Sequence, residues 1–383
     1  MNKFYGLNSL RFLAAFGVFV HHVEEIKHYT GYLAINNYRG ISALGGICVT
    51  AFFVLSGFLL SYLLMKEKER KGTIQVKKFY LRRFLRILPL YYVTLIIYQL
   101  LVPALPLQVM EHISQQNISD SYNAISGIVI PDALKQVLLL LLLPHVLLSM
   151  GVVFNPAHVW SIGVEEIFYL VWPLLILAAR KHLKLFLSTI FLYLACYISA
   201  LLILLLISKN SLHSTSYHIA RSWFSFLYFE RISCMAIGAA GAWLYIHRPS
   251  IVTLLRRRPV QVITILLLAM LMSKGITLPV MGNELYSILF CIIILNIVSP
   301  SENILPLSNR VFEYLGELTY GIYMLSPLAI VIGLELLERL QIGKQSWFTS
   351  YIVIYCCTFL TTFLIARISY IVIERPFLKL KPY

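Results

Sequence analysis

The chain has 383 residues, with 32 Lys and Arg against 17 Asp and Glu and a formal net charge of +15. Charged residues make up 13% and apolar residues 59%, where a soluble domain carries ~25% charged. This balance excludes a disordered chain, a fibrous repeat and a nucleic-acid-binding domain, and leaves an all-α, polytopic integral membrane bundle. The cationic excess is then a matter of orientation, because cytoplasmic loops accumulate Lys and Arg.

Ten runs approach the ~20 apolar residues that a helix needs to cross a bilayer. They are 6–28, 41–65, 87–105, 158–179, 185–207, 225–246, 260–277, 283–299, 316–337 and 348–372. An eleventh run, 133–149, is shorter and contains Pro144. If that run does not cross and the N-terminus is cytoplasmic, 21 basic side chains fall on the cytoplasmic side and eight on the other. If it does cross, the basic stretch 180–184 and the triplet Arg256–Arg258 face outward, against the positive-inside rule. The expectation is therefore about ten transmembrane helices plus one re-entrant or interfacial helix, with both termini cytoplasmic and one membrane-embedded domain over 1–383. No cleavable leader is expected, because the run 7–23 lacks a small-residue cleavage site.

Cys48, Cys196, Cys234, Cys291, Cys356 and Cys357 all lie in apolar runs with no C-x-x-C pair. They read as small buried hydrophobes, and no metal site is expected.

In the first span, Arg11 and His22 are eleven residues apart. That is three helical turns plus ~20°, so they share a face, ~16 Å apart along the axis. His21 is ~80° off that face. Ionisable groups at membrane depth are costly and usually face a cavity. The second span carries Ser56-Gly57, which reads as a close helix contact. At the start of the third, Arg83 and Arg86 share a face beside Lys77, Lys78 and Arg82. Such a cluster binds phosphate through guanidinium forks, or anchors the loop at anionic lipid. The fourth span opens with His158, Trp160, Ser161, Glu165, Glu166 and Tyr169 within twelve residues. Glu165 and Tyr169 share a face, and a carboxylate there reads as cavity-lining. Glu230 and Arg231 are adjacent and read as neutralising each other or a neighbour, with Arg231 able to reach a cavity. Glu317, Tyr320 and Tyr323 are weaker marks in the ninth span.

Taken in order, these residues resemble the membrane-bound acyltransferase-3 family, known for O-acetylating bacterial surface polysaccharides. Arg11 and His22 match its Arg, ten residues, His signature. Residues 52–60 (FFVLSGFLL) match its second-span motif, and Arg83 to Arg86 with Pro89 match its Arg-x-x-Arg element. His158 to Glu165 with Phe168 and Tyr169 match the fourth-span block. Residues 314–325 (YLGELTYGIYML) and 373–377 (IERPF) match the closing motifs. Relatives often carry a His where this chain has Ser326. Some also carry a C-terminal hydrolase-like domain, absent from this sequence, so direct acylation of the acceptor is expected.

The resemblance implies a membrane-bound O-acyltransferase in the bacterial cytoplasmic membrane. Acyl-CoA, most often acetyl-CoA, is its co-substrate rather than a bound cofactor. Its phosphates would sit at Arg83, Arg86 and Arg11, with the pantetheine arm rising along the first span to His22. His22 would be the general base, or the site of a covalent acyl-histidine relay. Glu165 would orient or charge-balance His22, or hold the acceptor. His158, Trp160, Tyr169 and Arg231 would face a carbohydrate or glycolipid acceptor. The implied partners are the acyl-CoA, that acceptor and membrane lipid, with no nucleic acid. A proton-coupled transporter or flippase is the other reading, although neither inverted repeats nor paired broken helices are evident.

Overall fold

Hydrocarbon supplies no water to backbone N–H and C=O groups, so a chain this apolar must satisfy them within its own helices. The described residues are helical nearly throughout, with no strand among them. The structure, a computed structural model, describes residues 4, 6–35, 37–105, 107, 109, 130–152, 154–208, 214–278, 280–299, 303–305, 307, 309–342 and 346–381. His112, Lys209, His213, Lys344 and most of the long 106–157 connection's first half lie outside the described residues.

Among the described residues, six helices are long and apolar enough to cross a membrane: Arg39–Lys71, Val76–Ala104, Ala157–Ala178, His182–Ser208, Thr319–Arg339 and Thr349–Lys379. In chain order we label α1 (Leu7–Tyr29), α2 (Arg39–Lys71), α3 (Val76–Ile96), α4 (Asp132–Leu140), α5 (Pro144–Ser149), α6 (Trp160–Ala178), α7 (His182–Ser208) and α8 (Thr215–Glu230). The second half holds α9 (Ile232–His247), α10 (Pro249–Leu255), α11 (Arg258–Lys274), α12 (Gly282–Ile297), α13 (Arg310–Glu317), α14 (Thr319–Arg339), α15 (Ile354–Ser369) and α16 (Arg375–Lys379).

Helix α2 is the hub, packing on α1, α6, α9, α11 and α12. It runs beside α9 at close range because Gly57 lies against the Met235 backbone and Gly238 against the Val54 backbone, where a Cβ has no room. Small residues let helix backbones approach in this way. By contrast, α7 is apolar on all sides and leaves Phe191, Leu192, Leu202 and Leu206 exposed, as a lipid-facing helix does.

One expected span is divided, and so is the run 133–149 that was expected not to cross. The run 225–246 is broken at Arg231, which sits at φ 42, between α8 and α9. Positive φ is costly for a residue with a Cβ. The Arg231 side chain holds the break: its Nη1 donates to the Gly46 carbonyl at 2.9 Å and to Thr50 Oγ1 at 3.1 Å. The run 133–149 folds as two helices of nine and six residues, α4 and α5, neither of which reaches across ~30 Å of hydrocarbon. Buried His145 on α5 places Nε2 3.0 Å from Glu230 Oε1 at the end of α8. Glu230 and Arg231 therefore do not neutralise each other; each is taken by a different helix.

Candidate functional site

Two connected cavities form where α1, α2, α3, α6 and α14 converge. The wider, about 600 Å³, opens beside the end of α2 and the start of α3. The narrower, about 100 Å³, shares Arg11, Leu59, Arg83 and Arg86 with it and runs inward to Phe52, Ser161 and Tyr323. Together they make a basic vestibule leading into a slot.

The three arginines stand at the neck. Arg11 Nη1 donates to Asn8 Oδ1 at 3.0 Å. The Arg83 guanidinium lies 4.6 Å from the Tyr169 ring centroid and 5.6 Å from that of Phe79. Among the described residues, Arg11, Arg83 and Arg86 have no carboxylate within 4.0 Å. Guanidiniums gathered at a cavity without a paired carboxylate keep their forked donors for an outside anion.

One level inward, Glu165 Oε1 accepts from Ser56 Oγ at 2.9 Å, and the Tyr169 hydroxyl lies 2.9 Å from Glu165 Oε2. Ser56, which reads as a packing residue in the sequence, thus faces the slot. At the slot's inner end, Tyr323 donates to the His158 carbonyl at 2.7 Å, and its oxygen lies 2.7 Å from Ser161 Oγ. A phenol has one proton, so with Tyr323 donating to the carbonyl, Ser161 donates to Tyr323.

Beyond Tyr323 lie the histidines. His158 Nε2 is 2.9 Å from the Met324 carbonyl. That oxygen only accepts, so Nε2 carries the proton and Nδ1 is the acceptor in the neutral ring. The His158 ring centroid is 6.0 Å from that of Tyr323 and 6.1 Å from that of His22. His22 Nδ1 lies 3.4 Å from Glu25 Oε2. His21 turns to α2 instead, with Nδ1 3.1 Å from the Ile41 carbonyl and its ring against Gly45. His21, His22 and Glu25 are the described residues whose ligand atoms come within 4.8 Å of one another and could hold a metal ion.

Arg11, Arg83, Arg86, Glu165 and Tyr169 share the slot, and His22 meets His158 past its closed end. Three of the expected site residues have other neighbours in the structure. Glu165 bonds Ser56 and Tyr169, so the carboxylate beside His22 is Glu25. Trp160 packs between Phe53 and Phe229, at 6.1 and 5.1 Å between centroids, and lines neither cavity. Arg231 is buried against α2 and lies 5.5 Å over the Trp160 ring, so it reaches no cavity of this site. Sequence reasoning passed over Glu25, although a carboxylate three residues after a histidine shares its helix face.

A family model described as an acyltransferase domain matches residues 4–367. The peptidoglycan O-acetyltransferase OatA of Listeria monocytogenes is 24% identical over 178 residues, covering 46% of this chain and 25% of that protein. A putative O-acetyltransferase of Staphylococcus aureus (strain COL) is 24% identical over 390 residues, covering 98% of this chain and 57% of its own length. The acyltransferase MdmB of Streptomyces mycarofaciens is 32% identical over 180 residues, 46% of this chain and 40% of that protein. This chain therefore spans a quarter to just over half the length of these relatives. No solved structure matches.

Proposed function

The chain belongs to the acyltransferase family Acyl_transf_3, and from that premise we propose that it is a membrane-bound O-acetyltransferase. In this reading it takes acetyl-CoA from the cytoplasm and acetylates a carbohydrate hydroxyl at or across the membrane. The observation that carries the donor assignment is the funnel: a vestibule of about 600 Å³ narrowing through Arg11, Arg83 and Arg86 into a slot of about 100 Å³. Coenzyme A has the matching shape and charge, a bulky polyanionic nucleotide on a thin, mostly uncharged arm. The vestibule end is assigned to the cytoplasm because the donor is made there and the 66–86 loop is the most basic of the chain. The same orientation puts both termini in the cytoplasm, and a donor made there is the reason for proposing the inner membrane.

The pyrophosphate sits at the three neck arginines and the pantetheine arm lies in the slot, past Glu165 and Tyr169. His22 takes the proton of the acceptor hydroxyl as that oxygen attacks the thioester carbon. The C–S bond breaks, an ester forms and the CoA thiolate leaves. The proton then passes from the imidazolium to the thiolate or to water. Glu25 holds the His22 ring through Nδ1, which presents Nε2 as the base. Tyr323 and His158 stand between the slot and His22, so the thioester reaches the base when Tyr323 turns aside. His158, at the His22 end, is positioned to meet the acceptor.

The test is binding of CoA to the purified protein in lipid discs, with acetyl transfer measured on the same sample. Tight CoA binding that depends on the neck arginines supports the transferase reading. Absence of CoA binding returns the chain to the transporter or flippase class.

A further inference from the structure

A second chemistry is available where α1 carries His21, His22 and Glu25. One ligand atom from each of these residues comes within 4.8 Å of those of the other two. His22 Nδ1 and Glu25 Oε2 are 3.4 Å apart. Two ligands at the tetrahedral angle around zinc, on metal bonds of ~2.1 Å, stand ~3.4 Å apart. We propose that His21, His22 and Glu25 bind a divalent transition-metal ion such as Zn²⁺, and that the bound ion silences His22. Binding rests on this geometry alone, whereas the silencing rests on His22 as the base in the reading above.

The surroundings suit a ligand set. His21 Nδ1 lies 3.1 Å from the Ile41 carbonyl, which only accepts, so Nδ1 carries the proton and the lone pair is on Nε2. A histidine whose other N–H is given to a backbone carbonyl is fixed in the tautomer and orientation that metal ligation needs. Gly45 leaves that ring uncovered, since a Cβ there would stand 3.2 Å from Nε2. Of the two adjacent carboxylates, Glu24 is committed. It takes the buried Lys27 Nζ, the Tyr355 hydroxyl and the Ile35 N–H, each at 2.7 Å. Glu25 is half-exposed and, among the described residues, has no cation but His22 within 4.0 Å. Its carboxylate is therefore free to turn to an ion arriving from solvent. Two imidazoles and one carboxylate select zinc-like ions over Mg²⁺ and Ca²⁺, which take oxygen ligands. The silencing is a matter of tautomer. A neutral imidazole has one proton and one lone pair. Facing Glu25, His22 keeps the proton on Nδ1, and Nε2 is the base. An ion on Nδ1 takes the lone pair there, and the ring proton moves to Nε2. The ring neither gains nor loses a proton, but Nε2 can no longer accept one from an acceptor hydroxyl.

The measurement is calorimetric titration of zinc chloride into the purified full chain, in discs of neutral phosphatidylcholine, with acetyl transfer followed on the same samples before and after EDTA. Zinc should bind wild type and stop transfer as the site fills, and EDTA should restore it. His21→Gln keeps an N–H for the Ile41 carbonyl but has no imidazole. It should bind zinc at least ~10-fold more weakly, transfer acetyl without metal, and need correspondingly more zinc to be stopped. His22→Gln should weaken zinc binding by a similar factor. Zinc affinity unchanged in both variants, or inhibition as strong in His21→Gln as in wild type, overturns the proposal. Zinc held at these residues with transfer undiminished overturns the silencing, and His22 as the base with it. Zinc binding is read without the donor, so an inactive wild type counts against the transferase reading and not against the site.

Discussion

Glu25 Oε2 lies 3.4 Å from His22 Nδ1, one turn further along the same helix. The carboxylate is half-exposed and lines neither cavity, so in the proposed mechanism it acts only through the imidazole. Glu25→Gln should lower kcat by ~10-fold or more while leaving the KM for acetyl-CoA unchanged, with partial recovery in Glu25→Asp. A merely structural role would instead lower the amount of folded protein and spare the activity per molecule. The separation is read from steady-state kinetics normalised to folded protein.

At the neck, Arg83→Ala with Arg86→Ala should weaken CoA binding by roughly tenfold or more per residue, since each loses a charge-assisted bond of ~1.5–3 kcal/mol. Folded yield should hold, because both side chains face an open cavity. Unchanged CoA affinity in the double variant would make the cluster an orientation signal for the loop.

The α2–α9 contact predicts a stability effect independent of chemistry. Gly238→Ala places a methyl group against the Val54 backbone, and overpacking of this kind costs ~1–3 kcal/mol. The variant should show a lower Tm in detergent. Equal Tm values for wild type and Gly238→Ala would contradict the close approach.

How much of this was legible depended on whether a feature is local to one helix. The Arg11–His22 stripe follows from the ~100° step of a helix, and in the structure Arg11 lines the slot while His22, not His21, meets His158. The division of 133–149 had a visible cause in Pro144. The break at Arg231 had none: Phe229 to Met235 contains neither Pro nor Gly, and what holds the turn is a hydrogen bond to Gly46, 185 residues away. The close contact read at Ser56-Gly57 holds at Gly57, which lies against the Met235 backbone; the bond of Ser56 to Glu165 left no mark because its partner lies on another helix, 109 residues on. The resemblance offered Glu165 either as a partner of His22 or as a residue that holds the acceptor. Their separation by Tyr323 and His158 exists only in three dimensions.

The proposed role of His22 is read from transfer of labelled acetyl from acetyl-CoA to surface glycan, in membranes carrying each single variant at matched protein level. The account predicts that His22→Ala loses activity by ~10²–10⁴-fold, whereas His21→Ala, whose ring turns to the Ile41 carbonyl, keeps a substantial fraction. An inactive His21→Ala beside an active His22→Ala would contradict it.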